Sequence, residues 1–157
     1  MKKFIHYGSN NFEIDRFEKI KNRHDMSFEK PDGGLWASPI NSRDNWHDWC
    51  LNNDFHTEKL KDSFIFTLLP NSRVLTIKTV QDITNILNML TAVPLGRKRR
   101  HIDFEELLKL GYDAIEVYID DVDVYYRLYG WDVDSLLVLN PFCIEVIEHD
   151  RSMCDVV

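Results

Sequence analysis

The side chains able to do chemistry are spread through this chain rather than gathered in a familiar motif. Six histidines are scattered, with no His-Glu-x-x-His pair to hold zinc, and no Gly-x-Ser-x-Gly elbow presents a nucleophilic serine. Cys50, Cys143 and Cys154 stand far apart and form no Cys-x-x-Cys pair, so neither a disulfide framework nor a zinc site is indicated. The glycines at 8, 33, 34, 96, 111 and 130 spell neither Gly-x-Gly-x-x-Gly nor a Walker-type loop. A dinucleotide bound here would not be bound by the Rossmann route. What remains is a histidine in an apolar run (His6), tryptophans at 36, 46 and 49, and carboxylates crowded between Glu116 and Asp134. Each has a plain reading: His6 as a satisfied core imidazole, and the tryptophans as packing, Trp49 above all. Asp120, Asp121, Asp123 and Asp132 lack the glycine and closing glutamate of a calcium loop and read as a solvated face, so no metal is expected.

The elements that must position these groups follow from periodicity and punctuation. Residues 3–8 read as a first strand ending at Gly8, and 15–23 as a short helix or turn. The turn residues Lys30-Pro31-Asp32-Gly33-Gly34 feed a second strand, 35–38, stopped by Pro39. A helix is expected over 44–52 with Ser42 or Asp44 as cap, which puts Trp46, Trp49 and Cys50 on one face. Strands follow at 63–69 and 73–77, with Pro70-Asn71-Ser72 as a hairpin turn between them. Residues 79–90 carry the clearest amphipathic stripe: Val80, Ile83, Ile86, Leu87 and Leu90. After a break at 94–96 and the basic run Arg97–Arg100, Asp103 caps a helix through Lys109 that Gly111 ends. A strand at 114–119, a helix at 121–129 and strands at 136–139 and 143–148 complete the chain. Strands and helices do not alternate strictly, which favours α+β over a doubly wound sheet.

Composition bounds the remainder. The 157 residues are 44% hydrophobic and 12% aromatic, enough for one domain over 1–157 with a real core. A formal charge of −7 argues against a general nucleic-acid or membrane-surface binder. The first residues reach Asn10 and Asn11 before an apolar signal segment forms, and no run of about 18 apolar residues exists to span a bilayer. A cytoplasmic protein with reduced thiols is expected.

Four segments, taken in order, resemble the ADP-ribosyltransferases of the diphtheria toxin and poly(ADP-ribose) polymerase type. Phe4-Ile5-His6-Tyr7-Gly8-Ser9 is similar to the strand that these enzymes end with His-Gly-Ser or His-Gly-Thr, here with a tyrosine inserted. Gly33-Gly34-Leu35-Trp36-Ala37-Ser38 is similar to their Gly-x-Tyr-Phe-Ala strand. Phe64 to Ile77 looks like the paired central strands. Val133-Asp134-Ser135-Leu136-Leu137-Val138-Leu139-Asn140-Pro141 resembles the strand that many members open with a catalytic glutamate. The resemblance implies a split β-sheet core with flanking short helices.

It also implies NAD as substrate, without a metal. Breaking the nicotinamide–ribose bond builds positive charge on C1′, which a fixed carboxylate stabilises most in the transition state. Asp134 takes that place by resemblance, with Glu116 on the preceding strand as the second candidate. His6 would hold a ribose hydroxyl, and the backbone of Tyr7 or Gly8 the nicotinamide amide, with Ser9 beside them. Trp36 and Trp46 would face the cationic ring, with Ser38 adding a hydroxyl, while Asn10 and Arg23 are further candidates for the cleft wall. The implied activity is mono-ADP-ribosyl transfer to a protein or nucleic-acid acceptor, as in a phage or bacterial effector or toxin. An NAD glycohydrolase, or an inactive binding or inhibitory module on the same fold, are the alternatives.

Overall fold

Apolar residues running up to a turn former make the first two strands, Phe4–Tyr7 (β1) before Gly8 and Leu35–Pro39 (β2) closing on its own proline. The computed structural model describes residues 1–23, 29–90 and 101–147, and it is α+β. Five further strands are Ser63–Leu68 (β3), Val74–Ile77 (β4), Ala114–Val117 (β5), Ser135–Val138 (β6) and Ile144–Val146 (β7). They join in one mixed sheet in the order β4-β5-β6-β2-β1-β3-β7. Only β4 and β5 run parallel, and the crossover between them carries the helices Val80–Met89 (α2) and Phe104–Lys109 (α3).

Two of the helices begin at well-formed side-chain caps. Thr79 and Asp82 make a reciprocal capping box at the start of α2, and Asp103 accepts from the Glu106 N–H at the start of α3, which ends just before Gly111. Helix Trp46–Asn53 (α1) is capped by Asn45 rather than by Ser42 or Asp44, since the Ser42 hydroxyl is engaged elsewhere. Helix Val122–Arg127 (α4) is shorter than its sequence suggests, and 15–23 yields only a 3-10 turn at Ile14–Arg16.

The two faces of the sheet bury different clusters. Trp36, Leu137 and Ile115 share one face by register, and there Ile77, Val117 and Leu137 pack with Ile83, Ile86, Phe104, Leu107 and Val124 of the helices and with Trp131. Ala37, Leu136 and Glu116 share the other face. On that side Phe4, Phe64 and Phe66 from β1 and β3 form one cluster with Ala114, Leu136 and Val138 from β5 and β6. The halves of the sheet therefore bury their common face together.

One local expectation fails. Pro70-Asn71-Ser72 does turn, with the Ser72 N–H donating to the Leu69 carbonyl at 3.0 Å, but it joins no hairpin. Strand β3 pairs with β1 and β7 while β4 pairs with β5 at the opposite end of the sheet. The Arg97–Arg100 run and the 94–96 break lie outside the described residues. Among the described residues no helix is long and apolar enough to cross a membrane.

What positions β2 is close backbone contact at its start. A Cβ on Gly34 would stand 2.6 Å from Leu137 Cδ1 and 2.9 Å from the Val138 carbonyl oxygen, and its φ of +73° is strained for any side chain. Gly34→Ala is therefore expected to lower unfolding free energy by about 2–4 kcal/mol, the sum of a left-handed backbone penalty and overpacking. Urea unfolding measures it, and a loss well under 1 kcal/mol would show that this contact is not tight.

Candidate functional site

The site begins where the sheet comes apart. Strands β1 and β2 share only the pairs Phe4↔Pro39 and Ile5↔Ser38. Beyond them His6 and Tyr7 stay with Phe64 and Ser63 of β3, while Trp36 and Leu35 stay with Leu137 and Val138 of β6. A cleft of about 330 Å³ opens at this parting. It is lined by Ile5, His6 and Tyr7 of β1, Trp36, Ala37 and Ser38 of β2, Trp46 at the start of α1, and Val133 and Ser135 at the start of β6. Arg23, Lys30, Pro31 and Asp132 complete the wall from loops. A second cavity of about 280 Å³ lies on the far side of His6, among Phe12, Phe17, Leu35 and Phe64.

His6 spans the parting. Its Nδ1 donates to the Trp36 carbonyl oxygen at 2.7 Å, and its ring lies 5.2 Å from that of Phe64. With the proton on Nδ1, the neutral ring keeps Nε2 as an acceptor. Burial holds the imidazole pKa below its ordinary value, against a smaller upward pull from the Trp36 carbonyl. Ser38 is buried, and its hydroxyl accepts from the Trp46 N–H at 3.1 Å, tying the helix start to the cleft floor. Trp46 stacks on Trp49 at 5.1 Å and 9°, with Phe55 edge-on to both. Trp36 meets Trp131 edge-on at 4.7 Å and carries the Lys30 ammonium 5.1 Å from its ring centre. The Tyr7 phenol, half-buried, has its pKa raised by burial and then by the charge of Asp48.

Five residues singled out in the sequence (His6, Tyr7, Trp36, Ser38 and Trp46) meet on this one cleft. Four others do not line it. The Gly8 N–H donates to the Asp62 carbonyl at 2.8 Å, and Ser9 bonds to Asn11 and lines the second cavity. Asp134 is buried, and its carboxylate accepts from the Ser42 hydroxyl at 2.6 Å and the Ile119 N–H at 2.9 Å. Its own N–H donates to the Asp44 carbonyl at 2.9 Å. Glu116, also buried, accepts from the Lys2 ammonium and the Tyr118 hydroxyl. Both carboxylates are committed to these partners away from the cleft wall, Glu116 on the face it shares with Leu136 and Asp134 just before the start of β6, whereas the neighbouring Ser135 lines the cleft.

The carboxylate on the cleft wall is Asp132, which the sequence had grouped with a solvated acidic face. Arg23 lines the cleft too, whereas Asn10 bonds to Asp62 and Ser63 instead. Lys30 and Pro31 gave a turn signal and no functional one. Among the described residues no three His, Cys, Asp or Glu side chains gather as a metal site. Comparison with protein-family models, with curated proteins and with solved structures finds no match for the chain.

Two outcomes follow from these contacts. Asp134→Ala leaves the Ser42 hydroxyl and the Ile119 N–H without their charged acceptor, which is expected to lower stability by about 1.5–3 kcal/mol in chemical unfolding. A loss of a few tenths would mean that the bracket around Asp134 is slack. For His6 the unfolded chain binds its proton at higher pH than the folded one. Its contribution to stability is therefore full above the ordinary imidazole pKa of about 6.5 and falls as pH drops through that value. Relative to His6→Gln, the native chain is expected to lose stability between about pH 7.5 and pH 5.5, and equal slopes would contradict the burial of this ring.

Proposed function

We propose that the cleft binds NAD and that the chain is a mono-ADP-ribosyltransferase with the split-sheet fold of that family, acting on a protein or nucleic-acid acceptor. The observation that carries this reading is the convergence of His6 and Tyr7, Trp36 and Ser38, and Trp46 on one cavity at the parting of β1 and β2. These residues come from three separated stretches, and the family resemblance assigns all of them to one substrate.

In this reading Trp46 is the better platform for the nicotinamide ring, since Trp36 already faces the Lys30 ammonium and a second cation there would be repelled. The Nε2 lone pair of His6 accepts from a ribose hydroxyl. Positive charge developing on C1′ as nicotinamide leaves is stabilised by Asp132, the carboxylate on the wall. The acceptor nucleophile then takes C1′ and nicotinamide departs with the bonding pair. Asp134 and Glu116 act as brackets of the fold instead. Their commitment to Ser42, Ile119, Lys2 and Tyr118 also favours a second reading, in which the cleft binds NAD without turning it over.

Nicotinamide release, followed with and without macromolecular acceptor, separates these. With an active transferase, Asp132→Asn is expected to slow release by about 10²- to 10³-fold, as for loss of one preorganised charge-stabilising group. Trp46→Ala is expected to weaken NAD binding by about 0.5–2 kcal/mol in calorimetry. Binding without release selects the inactive module. No heat and no change in Tm on adding NAD would remove both readings.

A further inference from the structure

Lys30 lines the cleft, and the NAD reading gives its amine no chemical step. Its side chain is half-buried in the wall beside Trp36, and the titratable groups that share that wall are Arg23, Asp132, His6 and Tyr7. No carboxylate among the described residues lies within 4.0 Å of its ammonium as an ion pair. The backbone that carries it is pinned on both sides. Before it, the buried Glu29 accepts from His101 Nδ1 at 2.5 Å and from Arg127 at 3.2 Å, donates its N–H to the Tyr129 carbonyl at 3.0 Å, and accepts on its own carbonyl from Trp131 Nε1 at 2.5 Å. After it, Asp32 and Lys21 exchange two backbone hydrogen bonds, of 2.8 and 2.9 Å. A long side chain is thus presented to the cleft from backbone that is hydrogen-bonded on both sides of it.

Such an arrangement suits a nucleophile better than a solvating charge. A lysine ammonium is a strongly hydrated point charge whose pKa shifts readily on burial, the property that nucleophilic lysines use. Here burial lowers the amine pKa, and Asp132 opposes that shift only in part.

We propose that Lys30 is a covalent-modification site, its ε-amine being the nucleophile of the cleft toward aldehydes that carry an aromatic or anionic body. The free amine adds to the carbonyl carbon, forming the C–N bond while the C=O π pair moves to oxygen. A proton passes from nitrogen to that oxygen, and loss of water leaves the imine, so one amine and one aldehyde give one imine and one water. The aromatic wall and Arg23 favour an aldehyde with a flat ring or a phosphate over a simple alkyl one. This site stands independently of whether NAD is the natural ligand.

Reductive alkylation of the whole chain tests it. With formaldehyde and cyanoborohydride near neutral pH, peptide mapping is expected to show Lys30 reacting faster than the exposed Lys59, Lys61 and Lys109, because burial leaves more of it as free amine. Pyridoxal 5′-phosphate followed by borohydride is expected to label Lys30 first, and Lys30→Arg to abolish that fast labelling alone. Formaldehyde is too small to be kept out, so a Lys30 rate at or below that of the exposed lysines overturns the proposal. NAD in the same reaction separates the two ideas. Selective labelling that NAD slows supports both, whereas selective labelling that saturating NAD leaves unchanged supports the reactive lysine and counts against NAD as the occupant.

Discussion

The structure turns on a sheet that parts where β1 and β2 meet. A strand edge with unpaired carbonyls is costly when it is removed from water, so a parting of this kind needs a substitute partner. His6 provides it, donating across the opening to the Trp36 carbonyl. That hydrogen bond puts the proton on Nδ1 and bridges the two sides of the opening, while Phe64 packs beside the ring. Without the parting there would be a continuous sheet and no cavity at Tyr7, Trp36 and Ser38. The same geometry leaves His6 between two cavities, so anything that reorients the imidazole is felt on both sides.

Elements with their own local signal were legible. The capping residue Asp103, the stripe through Ile83, Ile86 and Leu90, and the stop at Pro39 each act over a few residues, and each appears where expected. Pairing is a different kind of information. Pro70 to Ser72 has the chemistry of a turn and makes one, but whether the strand after a turn folds back on the one before it depends on distant partners. For β3 those are β1 and β7, and for β4 the parallel neighbour β5, reached through two helices. Likewise α1 takes Asn45 as its cap because Ser42 is drawn to a carboxylate 92 residues away.

The cleft itself divides along the same line. His6, Tyr7, Trp36, Ser38 and Trp46 were marked by the resemblance of their segments to a known family, and all five line the cleft. The candidate acids do not. Asp134 and Ser135 are neighbours, yet only Ser135 lines the cleft while the Asp134 carboxylate is held by Ser42 and Ile119. Arg23, Lys30 and Asp132 lie on connecting segments, where no period exists to reveal a direction. Carboxylates were plentiful in the sequence; what it lacked was a way to tell which of them is spent on structure.

That distinction also orders the aromatic residues. A flat cation entering the cleft meets two tryptophans in different states. Trp36 is braced by Trp131 on its edge and faces an ammonium held from a pinned stretch of chain, so its π surface is already satisfied in part and any further positive ring is opposed by like charge. Trp46 is braced by another neutral ring, Trp49, and needs no cation. A cationic ring therefore gains more on Trp46, and it gains on Trp36 only once Lys30 has lost its proton or its charge. The state of one amine thus decides which wall of the cleft is open to a positively charged ligand, and a neutral aromatic ligand would not feel that choice.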